Sequence, residues 1–197
     1  MAGAHEHAEH AEHVEHIGAK NKGIALLISV IALCLAFSET LGKSSQTSAL
    51  NHQIEASNLW NFFQAKNIRR TMTIVASELG KVDLATTTDE ARKAAVAKQV
   101  DEWTKTAARY RSEPDVREGT VELAQRAKEE EHKRDTMLAK YHHFEVASAG
   151  FQIAIVLASA SVITGMMILT WLAGGLGVLG ILFTGIGLFA PHAVHLF

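Results

Sequence analysis

The sequence predicts an all-α membrane protein with three transmembrane helices and a helical, coiled-coil-like stalk outside the membrane between the first and second of them. Three observations predict this class. Residues 146–197 contain no Asp, Glu, Lys or Arg, and an apolar run longer than about 18 residues is typical of a membrane-spanning segment. A second apolar stretch, residues 23–42, is interrupted only by Glu39. Between these stretches, apolar residues recur at helical spacing, and the whole chain has only two prolines.

Residues 1–22 form a His/Glu-rich tail that we expect to be flexible. In this tail four Glu-His pairs recur every three residues, so that their imidazoles would lie on neighbouring turns of a helix: His7, His10, His13 and His16. Histidines at this spacing can chelate Zn, Ni or Cu. The alternative is a solvated tail without metal, because the repeat has no Cys and no fixed scaffold to close a coordination shell.

Residues 23–42 form the first predicted span. Its strictly apolar part, residues 24–37, has the length of a signal-peptide core, but four Glu and only two Lys precede it. A signal peptide begins with a positively charged region, so we expect a retained span. Cys34, the single cysteine, lies within this span. A single cysteine cannot form an intramolecular disulfide, and its place within a span disfavours thiol catalysis.

Glu39 is the only acidic residue within a predicted span. It lies near the end of the span and four residues before Lys43, which is the spacing of a helical ion pair. The alternative is an ion or proton site, because an ionisable side chain inside a membrane is a functional hypothesis by default.

Residues 43–143 form the predicted stalk, with helices at about 45–79, 89–112 and 114–143. Apolar residues three to five positions apart predict the first helix: Leu50, Ile54, Leu59, Phe63, Ile68, Met72, Val75 and Leu79. We expect Gly80 to end this helix and Thr88 to cap the next. The second helix has the 4-3-4-3 spacing of a coiled-coil seam: Val96, Val100, Trp103, Ala107 and Tyr110.

Pro114 is expected to begin the third stalk helix, where its missing N–H is harmless. Heptad spacing continues along this helix, and no Gly or Pro separates it from the second span, so the two should form one helix. Glu130 and Arg134 occupy seam positions four residues apart, as an ion pair within the seam would. The alternative is that the helix rotates here and that both side chains face water.

Charge in the stalk is balanced, because residues 43–145 carry 17 basic and 16 acidic side chains. Nucleic-acid binding needs a basic patch or stripe, so we expect no nucleic-acid partner. Basic residues near the spans predict the orientation, since an excess of them marks the cytoplasmic side. The stalk has four basic residues near the spans, namely Lys43, Lys133, Arg134 and Lys140, whereas the tail has two, Lys20 and Lys22. We therefore expect a cytoplasmic stalk.

The apolar stretch of residues 146–197 must cross the membrane twice. As one helix, its 52 residues would measure about 78 Å, far more than the roughly 30 Å of a hydrocarbon core. Residues 171–175 (WLAGG) combine an indole, which prefers the interface, with a glycine pair that breaks a helix easily. We therefore place the second span at residues 144–171 and the third at residues 175–197.

Small residues recur at helical spacing in all three predicted spans. In the last two spans they form stripes: Ala154, Ala158, Ser161, Gly165, Gly177, Gly180, Thr184 and Gly187. Membrane helices pack where small residues let backbones approach. These stripes therefore predict contact between copies, in a closed symmetric homo-oligomer within the lipid bilayer. The alternative is that Ala and Gly are simply common in membrane segments.

No constellation of catalytic residues is visible, so we expect neither an enzyme nor a cofactor. The sequence has no phosphate-binding loop between strand and helix, no nucleophile elbow and no zinc helix with two histidines and a glutamate. The remaining histidines lie at predicted membrane boundaries, which explains them without chemistry: His142, His143, His192 and His195.

Two strings of residues, 37–43 (FSETLGK) and 54–66 (IEASNLWNFFQAK), resemble a family of bacterial membrane proteins known only as a domain of unknown function. The His/Glu-rich start and the closing pair of spans match the layout of that family. The resemblance implies a multi-pass protein of the bacterial inner membrane with one span before the stalk and two after it. It carries over no catalytic or ligand-binding residue.

The second string has a physical interpretation of its own. Amide side chains lie beside aromatic ones at helical spacing, namely Asn58, Trp60, Asn61, Phe63 and Gln64. Such a stripe can form a stalk interface in which amide hydrogen bonds set the register between subunits. The alternative is a docking surface for a membrane protein partner.

These observations predict an oligomeric, non-enzymatic membrane protein that acts as a scaffold or accessory protein. The alternative is a conduit for ions or small solutes, formed by several subunits. A conduit would place polar side chains of the spans along a central path: Ser29, Ser38, Glu39, Ser159, Ser161 or Thr164. A third hypothesis, metal handling, depends on the histidines of the tail alone.

Overall fold

The computed structural model of the chain describes the backbone of residues 3–194 and the side chains of residues 22–194. Over this part, the chain forms four helices and no strand: α1 (Gly3–Thr86), α2 (Glu90–Arg111), α3 (Thr120–Thr164) and α4 (Met167–Phe189). The all-helical prediction is therefore confirmed for the described residues. The chain divides into two compact units: a first unit of Met1–Ser48 with Thr136–Phe197, and a second unit of Ala49–Asp135.

α1 is one continuous helix of 84 residues. The predicted bounds of the first stalk helix, residues 45–79, are wrong, because the helix neither begins near residue 45 nor ends at residue 79. The threonines near residue 45 are accommodated by local hydrogen bonds. Thr40 Oγ1 donates to the Ala36 carbonyl at 2.8 Å, and Thr47 Oγ1 donates to the Lys43 carbonyl at 2.9 Å, as hydroxyls inside helices commonly do.

Three segments are long and apolar enough to cross a membrane: they lie within Lys22–Thr86, Thr120–Thr164 and Met167–Phe189. Within the most apolar 18 residues of each, only 17%, 33% and 22% respectively are buried inside the chain. Most of this apolar surface therefore faces outward.

The first unit packs three helical segments around one core: the beginning of α1, the end of α3 and α4. The core residues are mostly small: Ile24, Ile31, Ala147, Phe151, Ala154, Ala158 and Ala173. Ser38, which is fully buried, donates to the Phe144 carbonyl at 3.1 Å and so joins α1 to α3. Small side chains at these positions allow the helices to pack closely.

The turn between α3 and α4 lies at residues 165–166, not at residues 171–175. Gly165 has a φ of +71°, a left-handed conformation that glycine adopts without strain and that ends many helices. Ser161 Oγ stabilises the turn through Thr170 Oγ1 (2.6 Å) and the Met166 carbonyl (3.1 Å). The expected boundaries at residues 171 and 175 are therefore wrong: α3 ends at Thr164 and α4 begins at Met167.

The second unit contains residues 49–86 of α1, all of α2 and the beginning of α3. Its core is Leu59, Leu123 and Ala127, with Trp60 and Phe63 packed against it. Gly80 does not end α1. It lies opposite α2, where a Cβ would stand 2.6 Å from Val100 Cγ2 and 3.2 Å from the Trp103 ring. The residue thus permits close packing of the two helices.

Asp89 caps α2, in place of the expected Thr88. Its Oδ1 accepts hydrogen bonds from the backbone N–H groups of Ala91 (2.9 Å) and Arg92 (3.3 Å). At the other end, α2 stops at Arg111. The backbone carbonyl of Arg111 accepts a hydrogen bond from Thr120 Oγ1 at 3.2 Å.

The third stalk helix begins at Thr120, so the prediction that Pro114 begins it is wrong. Residues 112–119 form a turn around the carboxylate of Glu122, which accepts from Ser112 Oγ at 2.6 Å and from the Glu113 N–H at 3.3 Å. The hydrogen bond from Ser112 lowers the pKa of Glu122 below its ordinary value of 4.5. From Thr120, α3 continues without a break to Thr164, in agreement with the expected continuity of stalk and apolar segment.

Candidate functional site

The proposed metal ligands of the tail, His7, His10, His13 and His16, lie outside the residues whose side chains are described. Within residues 22–194, no group of three or more His, Cys, Asp or Glu side chains is placed to hold a metal ion. His195 also lies outside the described residues. The tail hypothesis stays a prediction.

The small-residue stripes lie mostly inside the first unit of a single chain. Buried members are Ala154, Ala158, Ser161, Gly177, Gly180 and Gly187. A Cβ on Gly180 would stand 2.6 Å from the Phe151 ring, and one on Gly187 would stand 2.9 Å from the Phe144 ring. Thr184 donates to the Gly180 carbonyl, and Gly165 is in the turn. These residues pack α4 against α3 and, at Gly177, against Ile31 of α1. Contact between copies through them stays a prediction.

Glu39 contacts a neighbouring helix through an amide. Gln152 Nε2 donates to Glu39 Oε1 at 3.2 Å, and no ion pair with Lys43 forms among the described residues. Glu39, Lys43 and Gln152 line an open groove of about 440 Å³, together with Tyr141 and Glu145. The groove carries both signs of charge, but no buried polar group without a partner points into it.

The hydroxyl groups of the possible conduit already have partners within the chain. Ser29, Ser159 and Thr164 each donate to a carbonyl four residues back in their own helix. Ser38 and Ser161 are buried in the helix contacts described above. These contacts do not favour a polar path through a single chain.

The boundary histidines hold elements of the first unit together. His143 is buried, and its Nε2 lies 3.1 Å from the Pro191 carbonyl while its ring stacks on Phe183 at 6.2 Å. His192 Nε2 lies 3.3 Å from Thr136 Oγ1. The two contacts fasten the segment after α4 to α3.

The residues of the proposed stalk interface separate onto two faces of α1. Trp60 and Phe63 face the chain's own α3, where Trp60 Nε1 donates to Glu131 Oε1 at 2.9 Å. Asn58, Asn61 and Gln64 are exposed. The aromatic half of the stripe therefore serves the fold of the second unit, while the amide half is free to meet another molecule.

Lys66, the last residue of the same string, is a buried cation that the sequence did not single out. Its side chain is only 9% exposed, and its Nζ lies 3.1 Å from Glu113 Oε2 and 3.7 Å from Glu118 Oε2. The ammonium also lies 5.7 Å from the ring centres of Phe62 and Tyr110, within the range of a cation–π contact. Lys66 thus ties α1 to the turn between α2 and α3.

A second polar contact in this unit centres on Glu130. Its carboxylate bonds to Lys133 Nζ and to His52 Nδ1, each at 2.6 Å. The hydrogen bond from Lys133, and then that from His52, lowers the pKa of Glu130 below its ordinary value of 4.5. The expected ion pair with Arg134 does not form, because Arg134 bonds instead to Asp135 (2.8 Å) and Gln53 (2.7 Å).

Glu130→Gln should destabilise the second unit in a pH-dependent way. Because the folded state lowers the pKa of Glu130, its stabilising effect is fully present above pH 4.5 and is lost as the pH falls through the lowered value. We expect the variant to lose about 1.5 kcal/mol of unfolding free energy at neutral pH, the lower end of the range for a hydrogen bond to a charged group. Urea unfolding over a pH series should show this difference shrinking below pH 4.5, whereas Glu129→Gln, at an exposed site on the same helix, should show none.

An exposed apolar face of α1 is the feature that sequence reasoning misassigned. Six of the eight apolar residues that predicted the first stalk helix are 51–68% exposed: Leu50, Ile54, Ile68, Met72, Val75 and Leu79. The buried positions of α1 in this unit carry small or polar side chains: Ala49, Ala56, Lys66 and Ser77, besides Leu59. A count of large apolar residues therefore points to the wrong side of the helix.

Comparison with known proteins gives one match. The model of a family described as a domain of unknown function (DUF4337) matches residues 20–190. No curated protein and no solved structure matches the chain. The chain belongs to this family.

Proposed function

We propose that this member of the DUF4337 family is an oligomeric integral membrane protein without enzymatic activity, which acts as a scaffold or accessory protein. Its three apolar helical segments would cross the bilayer, and the second unit would stand in water as an interaction platform. We place it in the bacterial inner membrane with the second unit on the cytoplasmic side, from the family resemblance and from the excess of Lys and Arg near the spans.

The distribution of apolar residues in the first unit carries this proposal. Its outward side chains are large and apolar, such as Leu33 (72% exposed), Val156 (66%) and Ile163 (86%). Its buried ones are small or hydroxylated, such as Ala154, Ala158 and Ser38. Water would penalise such a surface, whereas lipid favours it, and helices in lipid pack through small residues.

The second unit supports the role of a platform. Its surface carries many ion pairs, such as Lys81 with Glu78 (2.7 Å) and Arg92 with Asp83 (2.9 Å). Alongside these charges it leaves an apolar helix face uncovered. A charged, helical surface with one apolar face suits protein contacts in water rather than lipid.

Alkaline carbonate extraction of membranes tests the proposal. We expect the full chain to stay in the membrane pellet in carbonate and to enter solution only in detergent, because three apolar segments hold it in the bilayer. A water-soluble protein from the same cells should be released by carbonate and serves as the control. Release of the chain together with that control would contradict membrane insertion.

A further inference from the structure

The exposed apolar face of α1 forms a second heptad seam in the second unit. We call it the outer seam, and its nine positions alternate by four and three residues: Ile54, Asn58, Asn61, Ala65, Ile68, Met72, Val75, Leu79 and Val82. All nine are exposed. They span 28 helical steps, which is about 42 Å and four heptads.

The outer seam lies on the side of α1 against which no other helix packs in the described part of the chain. The buried residues Ala56, Leu59 and Lys66 each lie two positions from an outer-seam residue, which is about 200° around the helix. α2 and α3 pack on that buried side, where Gly80 meets Val100 and Leu59 meets Leu123. One helix thus presents two opposite seams, of which only one is filled by its own chain.

The spacing of the outer seam indicates that another helix covers it. Apolar residues at alternating spacings of four and three are typical of a coiled coil, and seven of the nine outer-seam positions are apolar, without interruption from Ala65 to Val82. The seam includes an open groove of about 450 Å³ whose walls include Ile68, Met72, Val75 and Leu79. Such a groove is the kind of hole into which a side chain of a facing helix inserts.

The amide pair at Asn58 and Asn61 favours an identical helix in parallel register. Both amides lie in the outer seam, where an apolar partner would leave their donors and acceptors without hydrogen bonds. In a parallel, in-register contact each asparagine meets its own counterpart, and a polar residue in a seam is known to fix register in this way. Antiparallel registers that pair these two amides with each other leave the apolar end at Val82 without a partner.

The charges beside the outer seam permit contact between identical surfaces. Glu78 is paired with Lys81 at 2.7 Å, and Asp83 is paired with Arg92 at 2.9 Å. Glu78 and Asp83 therefore each have a basic partner within their own chain, which reduces their repulsion of the same groups in a second copy. Like charges across a seam would otherwise oppose association.

We infer that copies of this chain associate through the outer seam as a parallel, in-register coiled coil of α1. The inference rests on the proposed function for one point, the direction of the helices. Copies inserted in one bilayer with the same topology are related by an axis along the membrane normal, so equivalent helices run parallel. The seam then supplies the subunit contact of the proposed oligomer.

Disulfide cross-linking in native membranes tests the seam. In the full-length Cys34→Ser chain, which has no other cysteine, Val75→Cys or Leu79→Cys is introduced and the membranes are oxidised. We expect about tenfold more linked dimer at these sites than at Ile74→Cys, because seam residues of a parallel pair face their own counterparts within disulfide reach. Ile74 is the matched control, since it is an apolar residue exposed on the same helix but outside the seam.

Three outcomes would overturn the inference: equal cross-linking at Ile74, no cross-linking at the seam, or a linked product with a different protein. As a second measurement, Val75→Asp with Leu79→Asp should lower the oligomer mass in mild detergent without changing the helix content, whereas Lys98→Asp, at an exposed site on α2, should leave the mass unchanged. An unchanged mass for the double variant would also count against the seam. Carbonate extraction of the same membranes reports on the proposed function separately, because it measures insertion and not subunit contact.

Discussion

Replacement of Gly180 by leucine should disrupt the first unit of the chain. A Cβ at this position would lie 2.6–2.9 Å from three atoms of the Phe151 ring, and the ring is itself buried in the core. Neither the ring nor the α4 backbone can move away without opening the contact between α3 and α4. We expect a loss of about 3 kcal/mol or more in unfolding free energy, at the upper end of overpacking effects. Unfolding of the full chain in mild detergent, followed by its helical signal, measures this loss.

Gly175→Leu is the matched control, because it makes the same change on the same helix. No atom lies within 4 Å of a Cβ at Gly175, so leucine has room there and should stabilise the helix or leave it unchanged. Equal stability of the two variants would contradict the packing of α4 on α3. If Gly180→Leu instead lowered only the oligomer mass, the stripe would act between copies, as the sequence alone predicts.

The class of fold was accessible from the sequence because long apolar runs and helical spacing are strong signals. The uncharged stretch of residues 146–197 is too long for one membrane-spanning helix, which predicts two segments, and the structure divides it between α3 and α4. The continuity of α3 was also predictable, since no Gly or Pro lies between residues 120 and 149. These features depend on composition over many residues, so no single contact could reverse them.

Turns were harder to place because each depends on one residue's backbone conformation. Residues 171–175 offered two glycines and an indole, yet Gly165 makes the turn, with its φ of +71°. Gly174 and Gly175 remain helical, and no atom lies within 4 Å of a Cβ built on either of them. Likewise, a glycine at position 80 suggests the end of a helix, but in the structure Gly80 lies within α1 and lets Val100 and Trp103 of α2 approach closely. Sequence shows where a glycine is, but not whether it turns the chain or admits a neighbour.

The two faces of α1 could not be assigned from hydrophobicity alone. Its buried side in the second unit uses Ala56, Lys66 and Ser77, while Met72 and Leu79 are exposed. Small residues allow the close contact of α1 with α2 and α3, whereas large ones suit a seam with a further helix. The larger side chains of α1 therefore lie on its exposed side. The two seams can be told apart when each residue of α1 is assigned to a heptad position. A list of its large apolar residues does not distinguish them.

Replacement of Lys66 by methionine should weaken the second unit at the point where α1 meets the turn between α2 and α3. Methionine keeps the unbranched stem but removes the ammonium that lies 3.1 Å from Glu113 and 3.7 Å from Glu118. Loss of one partner from a buried ion pair leaves the other charge uncompensated. Because the two carboxylates are partly exposed, we expect about 2 kcal/mol of destabilisation, below the range for a fully buried pair. Hydrogen exchange of the full chain should then accelerate in α2 and at the start of α3.

Lys81→Met is the control for this substitution, because Lys81 also pairs with a glutamate on α1 but in solvent. Its partner Glu78 lies at 2.7 Å, and the two side chains are 53% and 64% exposed. An exposed pair of this kind contributes at most a few tenths of a kcal/mol, so exchange in α2 should not change. If both variants accelerated exchange equally, the charge of Lys66 would have no special role in the fold. If only Lys66→Met does so, the closing lysine of the string at residues 54–66 anchors the helix that carries the outer seam.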